Sequence, residues 1–284
     1  MILFSGCSFT FGEKRRSDKG IYQIESPYSK FLGDALDKPI WDISMSGKDN
    51  LMMISDIITL LMWKEHSPSS LGKQRDKKID IIVLQTTDFF RSYLPTPDFK
   101  KHHKINNLDS QLRFNSNKYV KMMLHNAHMY HMEKFGNSEK CFRLATDIEG
   151  IGTNWYSRLI GDTSETFMKY QWCQKLIHLQ LLCEVKKIKL VIMNYYPIGE
   201  DFKEDPSFKA IDLDNFIIED PFKSGMYEQL EIVAFTKTDD DFHWEIDAHA
   251  YQADILEDFI KNNTKIKVKS NIESHTTEIY DYTT

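Results

Sequence analysis

The sequence predicts an α/β fold, a doubly wound parallel sheet flanked by helices in three layers, and three observations carry that expectation. Short apolar or β-branched runs recur at wide intervals along the chain. Helix-period patterns separate them. Each run ends in polar, glycine-containing or proline-containing sequence, as strands do when they feed a loop at the sheet edge. Strands alternating with helices in this way indicate right-handed crossovers between parallel neighbours.

The first strand is read at Met1–Phe4, apolar throughout and too short for a helix. It stops at Ser5-Gly6, where a residue without Cβ lets the backbone turn sharply. A helical pattern follows over Pro27–Leu36, then a second strand over Pro39–Ile43 and a second helix over Asp49–Trp63. The third strand is Ile79–Leu84, whose apolar run from Ile81 to Leu84 suits burial on both faces. Ser164–Lys186 is a long helical pattern, Ile188–Met193 the fourth strand, and Asp247–Asn262 the closing helix. Gln229–Phe235 is expected to supply a fifth strand. Residues 1–262 thus read as one domain.

The interval from 92 to 163 breaks the alternation. It is polar, opens with Pro95 and Pro97, and holds one helical stretch at about Lys118–Lys134. It reads as an insertion after the third strand, placed over the carboxyl edge of the sheet. The tail, 263–284, is polar, with a short edge strand expected at Lys265–Val268 and a loose end.

At 284 residues, with 41% hydrophobic and 13% aromatic content, the chain can bury a large core. A net charge of -6 argues against a dedicated nucleic-acid binder. No apolar run reaches the ~18 residues that a membrane-spanning helix needs. No signal peptide is read at the amino terminus, so a cytoplasmic protein is expected. Cys7, Cys141, Cys173 and Cys183 form no CxxC pair and no metal-ligand rhythm, which points to a reducing compartment without disulfides.

The chemistry centres on two distant segments. Ser8 follows the first strand, where open α/β sheets place their ligand crevices. Near the other end, Asp240-x-x-His243 precedes the last helix. One short turn can there carry a base and the carboxylate that orients it, leaving one imidazole nitrogen to take the Ser8 proton. Oxyanion donors are expected after the other strands: the backbone N–H of Gly47, near a helix start, and the hydroxyl of Thr87, with the N–H of Ser8 itself. Asn50, Gln85 and Asp88 stand beside these groups. With Tyr195 and Tyr196, which follow the fourth strand, they are candidates for substrate contact.

These segments together resemble the SGNH (GDSL-type) hydrolase superfamily. The run Gly6-Cys7-Ser8-Phe9-Thr10-Phe11-Gly12 is similar to its first block, usually Gly-Asp-Ser, and Gly47 to its second. Gln85-Thr86-Thr87-Asp88 falls where Gly-x-Asn-Asp is expected, and Asp240-Asp241-Phe242-His243 matches the closing Asp-x-x-His. The resemblance implies a Ser8–His243–Asp240 triad acting on acetyl or short acyl esters. The substrate would be a small molecule or a carbohydrate ester, with no cofactor, metal, nucleic acid or membrane partner. The sequence departs from the pattern at Cys7, at Gln85 and at Thr87, the last exchange removing an amide donor.

Alternatives to the esterase are a binding or structural module on the same scaffold and an O-acyltransferase, and blander readings of single residues stand beside these. Asp241 rivals Asp240, and the three-residue spacing favours Asp240. Cys7 is a minor alternative nucleophile, because neighbouring side chains point apart. His249, at helical spacing with Ala253 and Leu256, reads as a packing or hydrogen-bonding residue. His125, His128 and His131 drift around a helix and read as a polar face, unlike the four-residue spacing of zinc helices. His102-His103 among lysines reads as a solvated loop, and Trp155-Tyr156 is open between cleft wall and turn.

Overall fold

The structure is a computed structural model that describes residues 1–16, 20–23, 26–44, 49–66, 78–87, 89, 93–95, 119–121, 165–235, 237 and 243–268. Its centre is a four-stranded, all-parallel sheet of β1 (Ile2–Ser5), β4 (Ile40–Asp42), β5 (Ile81–Thr86) and β8 (Lys189–Asn194), in the order β4-β1-β5-β8. The four expected strands are these four, within two residues at each end. Every residue of β1 and β5 is buried, in keeping with the unbroken apolar runs Ile2–Phe4 and Ile81–Leu84 in the sequence. Ile2 to Ser5 of β1 pair with Ile81 to Leu84 of β5, and Ile2 to Phe4 with Ile40 to Asp42 of β4.

The helices are α1 (Ser8–Phe11), α2 (Tyr28–Ala35), α3 (Asn50–His66), α4 (Glu165–Lys186), α5 (Met226–Ile232) and α6 (Ile246–Asn262). The chain passes from β1 through α2 to one neighbour, then through α3 back to the other. With right-handed crossovers, α2 lies on one face and α3 and α4 on the opposite one. The packing agrees, since α2 lies against α6 and α3 against α4. On α4, Trp172, Cys173, Leu176, Leu179 and Cys183 form the buried stripe. Burial pushes the Cys173 thiol up to about 11 and that of Cys183 up to about 12, so both pack as small apolar groups. Among the described residues no helix is long and apolar enough to cross a membrane.

Three elements differ from expectation. Gln229–Phe235 is not a strand: Met226–Ile232 is helical, with Met226 and Leu230 buried one turn apart and Ile232 and Val233 exposed. The Glu228 carboxylate accepts from the Gly225 N–H and holds that helix start. The sheet is extended instead by Phe216–Ile218, all fully buried. Phe216 bridges to Ile192 of β8, and Ile218 bridges to Ile266, where the tail strand was expected. The helix expected at about Lys118–Lys134 is replaced at its start by β7 (Tyr119–Lys121), antiparallel to β6 (Tyr93–Pro95). The rest of that helix and most of the insertion lie outside the described residues. A hairpin of β2 (Glu13–Arg16) and β3 (Gly20–Gln23), not expected from such charged sequence, follows α1.

Candidate functional site

Parallel pairing puts the carboxyl ends of the four strands on one edge. Ser8, Thr87 and Tyr195 follow closely from three of those ends, β1, β5 and β8. The chain leaves β1 toward opposite neighbours, so this edge carries the switch point at which open sheets form a crevice.

Ser8 is the first residue of α1, a single turn ended by Gly12 at φ 69°, in the left-handed region. Phe9, next along the chain, packs its ring between Tyr195 and His243. It stacks on Tyr195 at 4.1 Å and 19°, and lies 4.9 Å from the His243 ring. His243 is buried, 8% exposed. The first and last site segments, more than two hundred residues apart, thus meet through Phe9. Trp244, beside His243, bridges to Lys237, so the ends of the 238–242 segment are held together. Lys237 reinforces this closure: its Nζ lies over the Tyr227 and Trp244 rings and donates to the Tyr227 hydroxyl and to Glu231. Gly47, Asp88 and Asp240 lie outside the described residues, as do Asp241, Cys141, Trp155-Tyr156 and the His102-His103 and His125–His131 groups.

His249 packs as its helical spacing suggests. It is buried on α6, its ring parallel to that of Tyr28 at 6.1 Å, and its Nδ1 accepts from the Tyr28 N–H at 3.4 Å. Burial, and secondarily the charge of nearby His243, holds its pKa down at about 4. It is therefore neutral at pH 7.

Several candidates for substrate contact are engaged within the fold. Gln85 is fully buried. Its Oε1 accepts from the Thr10 hydroxyl, and its Nε2 donates to Cys7 Sγ at 3.4 Å and the Thr86 carbonyl at 3.3 Å. The β1–β5 register, ending at Ser5 opposite Leu84, puts Gln85 beside Gly6 and under α1. Asn50, at the start of α3, clamps the loop after β5: its Nδ2 donates to the Thr87 carbonyl at 2.8 Å, and its Oδ1 accepts from the Thr87 N–H at 2.7 Å. Thr87 itself is fully buried. Tyr195 is fully buried behind Phe9, whereas Tyr196 is half-buried and stacks on Tyr227 at 5.3 Å.

Cys7 is a buried free thiol that accepts from Gln85. Asp49 caps α3, its Oδ1 accepting from the Met52 N–H at 2.7 Å, and burial pushes its carboxyl up to about 7. The sequence reading gave no role to Phe9 and Thr10, although both lie in the first block, and it did not single out Tyr28 or Lys237. Ring packing on Tyr195 and His243 places Phe9, and the bridge to Trp244 places Lys237. Among the described residues no group of three His, Cys, Asp or Glu side chains is arranged to hold a metal ion.

No family model matches this chain, and no curated protein matches it. Three chains of solved structures do. One is an acetyl xylan esterase (Est2A) from the rumen bacterium Butyrivibrio proteoclasticus, similar at a TM-score of 0.40 and 12% identity over 92% of this chain. The match spans 63% of that esterase's length, under two thirds of it.

Proposed function

We propose that this chain is a serine esterase of the SGNH type, hydrolysing acetyl or short acyl esters, with carbohydrate esters among its candidate substrates. The observation that carries this reading is the packing of Phe9 against His243 at 4.9 Å, because Phe9 is bonded directly to Ser8. A hydroxyl-bearing turn at a strand end and a buried imidazole from the far end of the chain then share one edge of the sheet.

In the proposed cycle His243 takes the Ser8 proton as Ser8 Oγ attacks the ester carbonyl. Asp240 orients the imidazole and stabilises its charged form. The N–H groups of Ser8 and Gly47 hold the oxyanion, and the Thr87 hydroxyl, buried before substrate enters, assists only once the site opens to it. The tetrahedral intermediate collapses to an acyl-serine as His243 returns the proton to the leaving alcohol. Water, deprotonated by the same imidazole, then releases the acid and regenerates Ser8. Half-buried Tyr196 is the aromatic face offered to the substrate.

Turnover of p-nitrophenyl acetate by the wild type and by Ser8→Ala tests this. The expected result is a loss of about 10⁴-fold or more in kcat. Equal rates in the two proteins would overturn the enzyme reading and leave a binding module built on the same scaffold.

A further inference from the structure

A one-turn helix does not hold its own orientation in water, because nucleating the first turn is unfavourable. Four-residue α1 therefore depends on what it touches, and a buried chain of hydrogen bonds passes directly beneath it. Thr10 has one hydroxyl proton, which it gives to Gln85 Oε1. The contact between Thr10 Oγ1 and the Tyr28 hydroxyl, 2.7 Å, must then be donated by Tyr28. Burial holds the Tyr28 phenol well above its usual range, so it keeps that proton. Gln85 continues the relay by donating Nε2 to Cys7 Sγ. Residues on both sides of Ser8, Cys7 before and Thr10 after, are thus tied to one amide on the central strand β5. Gly6 makes the approach possible: a Cβ there would stand 1.9 Å from Thr10 Oγ1 and 3.2 Å from Gln85 Cβ.

We propose that Thr10 and Gln85 are positioning residues, which fix the Ser8 turn from below through the one-way relay Tyr28–Thr10–Gln85–Cys7. This rests on the esterase reading above. Neither side chain touches substrate; both act by setting where the Ser8 N–H and hydroxyl stand. At a site already occupied by substrate, loosening the turn misplaces the nucleophile, so the loss falls on kcat and leaves KM nearly unchanged.

The test compares p-nitrophenyl acetate kinetics and thermal unfolding in wild type, Ser8→Ala, Thr10→Val, Thr10→Ser and Gln85→Glu. Thr10→Val keeps the shape and removes the relay; kcat is expected to fall about 10- to 100-fold with KM within about twofold. Thr10→Ser, which keeps the hydroxyl, is expected to recover most of that loss. In Gln85→Glu, a protonated acid can replace the amide and a carboxylate cannot. Its kcat relative to wild type is therefore expected to fall as pH rises through the elevated pKa of a buried carboxyl. Wild-type kcat in Thr10→Val, or a Thr10→Ser no better than Thr10→Val, overturns the positioning role while Ser8-dependent turnover still stands. If Thr10→Val does not fold, a pH-independent Gln85→Glu ratio overturns it. Equal turnover by wild type and Ser8→Ala overturns the esterase reading and this inference together.

Discussion

Asn50 shows how a polar side chain at a strand end can serve the fold. Its amide matches a peptide group in donor and acceptor, and it binds the Thr87 backbone on both sides. Truncation leaves a buried N–H and C=O to find other partners, at about 1–3 kcal/mol for each one left unsatisfied. Asn50→Ala is expected to lower stability by about 2–4 kcal/mol in a urea titration, with Asn50→Asp intermediate because it keeps only the acceptor. The sequence placed Asn50, Gln85 and Tyr195 at the correct edge of the sheet, since strand ends are legible from apolar runs. It did not fix the direction of their side chains. Gln85 lies in a strand with both faces covered, so period-two alternation gives no sign that its amide turns inward to Thr10.

Among the elements, α1 is the one on which the proposed site depends, and its outward anchor is Phe9. That ring fills the space between Tyr195 and His243 and is 5% exposed. Phe9→Ala is expected to cost about 3–5 kcal/mol by urea unfolding and to lower turnover by loosening both site segments. Phe9→Leu should recover most of the stability. The long helices were legible because their buried stripes repeat every three to four residues, as on α4. Met226–Ile232 was misread because Leu230, Ile232 and Val233 mimic a strand's apolar density. Burial follows helical spacing there, with two of those three exposed. The β2–β3 hairpin escaped detection because Glu13-Lys14-Arg15-Arg16 lacks the apolar alternation of a half-buried strand.

For the whole molecule, α/β class and strand sequence were readable because a doubly wound sheet writes itself as alternation. The bridges that extend the sheet at Phe216, Ile218 and Ile266 were not, since a single-residue bridge has no periodicity. Two of the shifted buried groups, Asp49 and His249, make global stability depend on pH with opposite signs. Asp49 is raised from 3.8 to about 7, so the folded state binds the extra proton, and its contribution is lost as pH rises from about 4 to 7. His249 is lowered from 6.5 to about 4, so the unfolded state binds the extra proton, and stability is lost as pH falls through that window. Asp49→Asn keeps a capping oxygen for Met52 and removes the first effect. Relative to wild type, it is expected to gain stability between pH 4 and pH 8 by up to about 4 kcal/mol. Chemical denaturation of both proteins at pH 5 and pH 8 checks this, and a pH-independent difference would refute it.

The most direct test of a shared Ser8–His243 site is covalent labelling with a fluorophosphonate, followed by peptide mapping, in wild type and in His243→Ala. Phosphonylation is expected on Ser8, at a rate that falls about 100-fold or more without the imidazole. A label found on Cys7, no label on Ser8, or Ser8 labelled equally fast in both proteins would contradict the account.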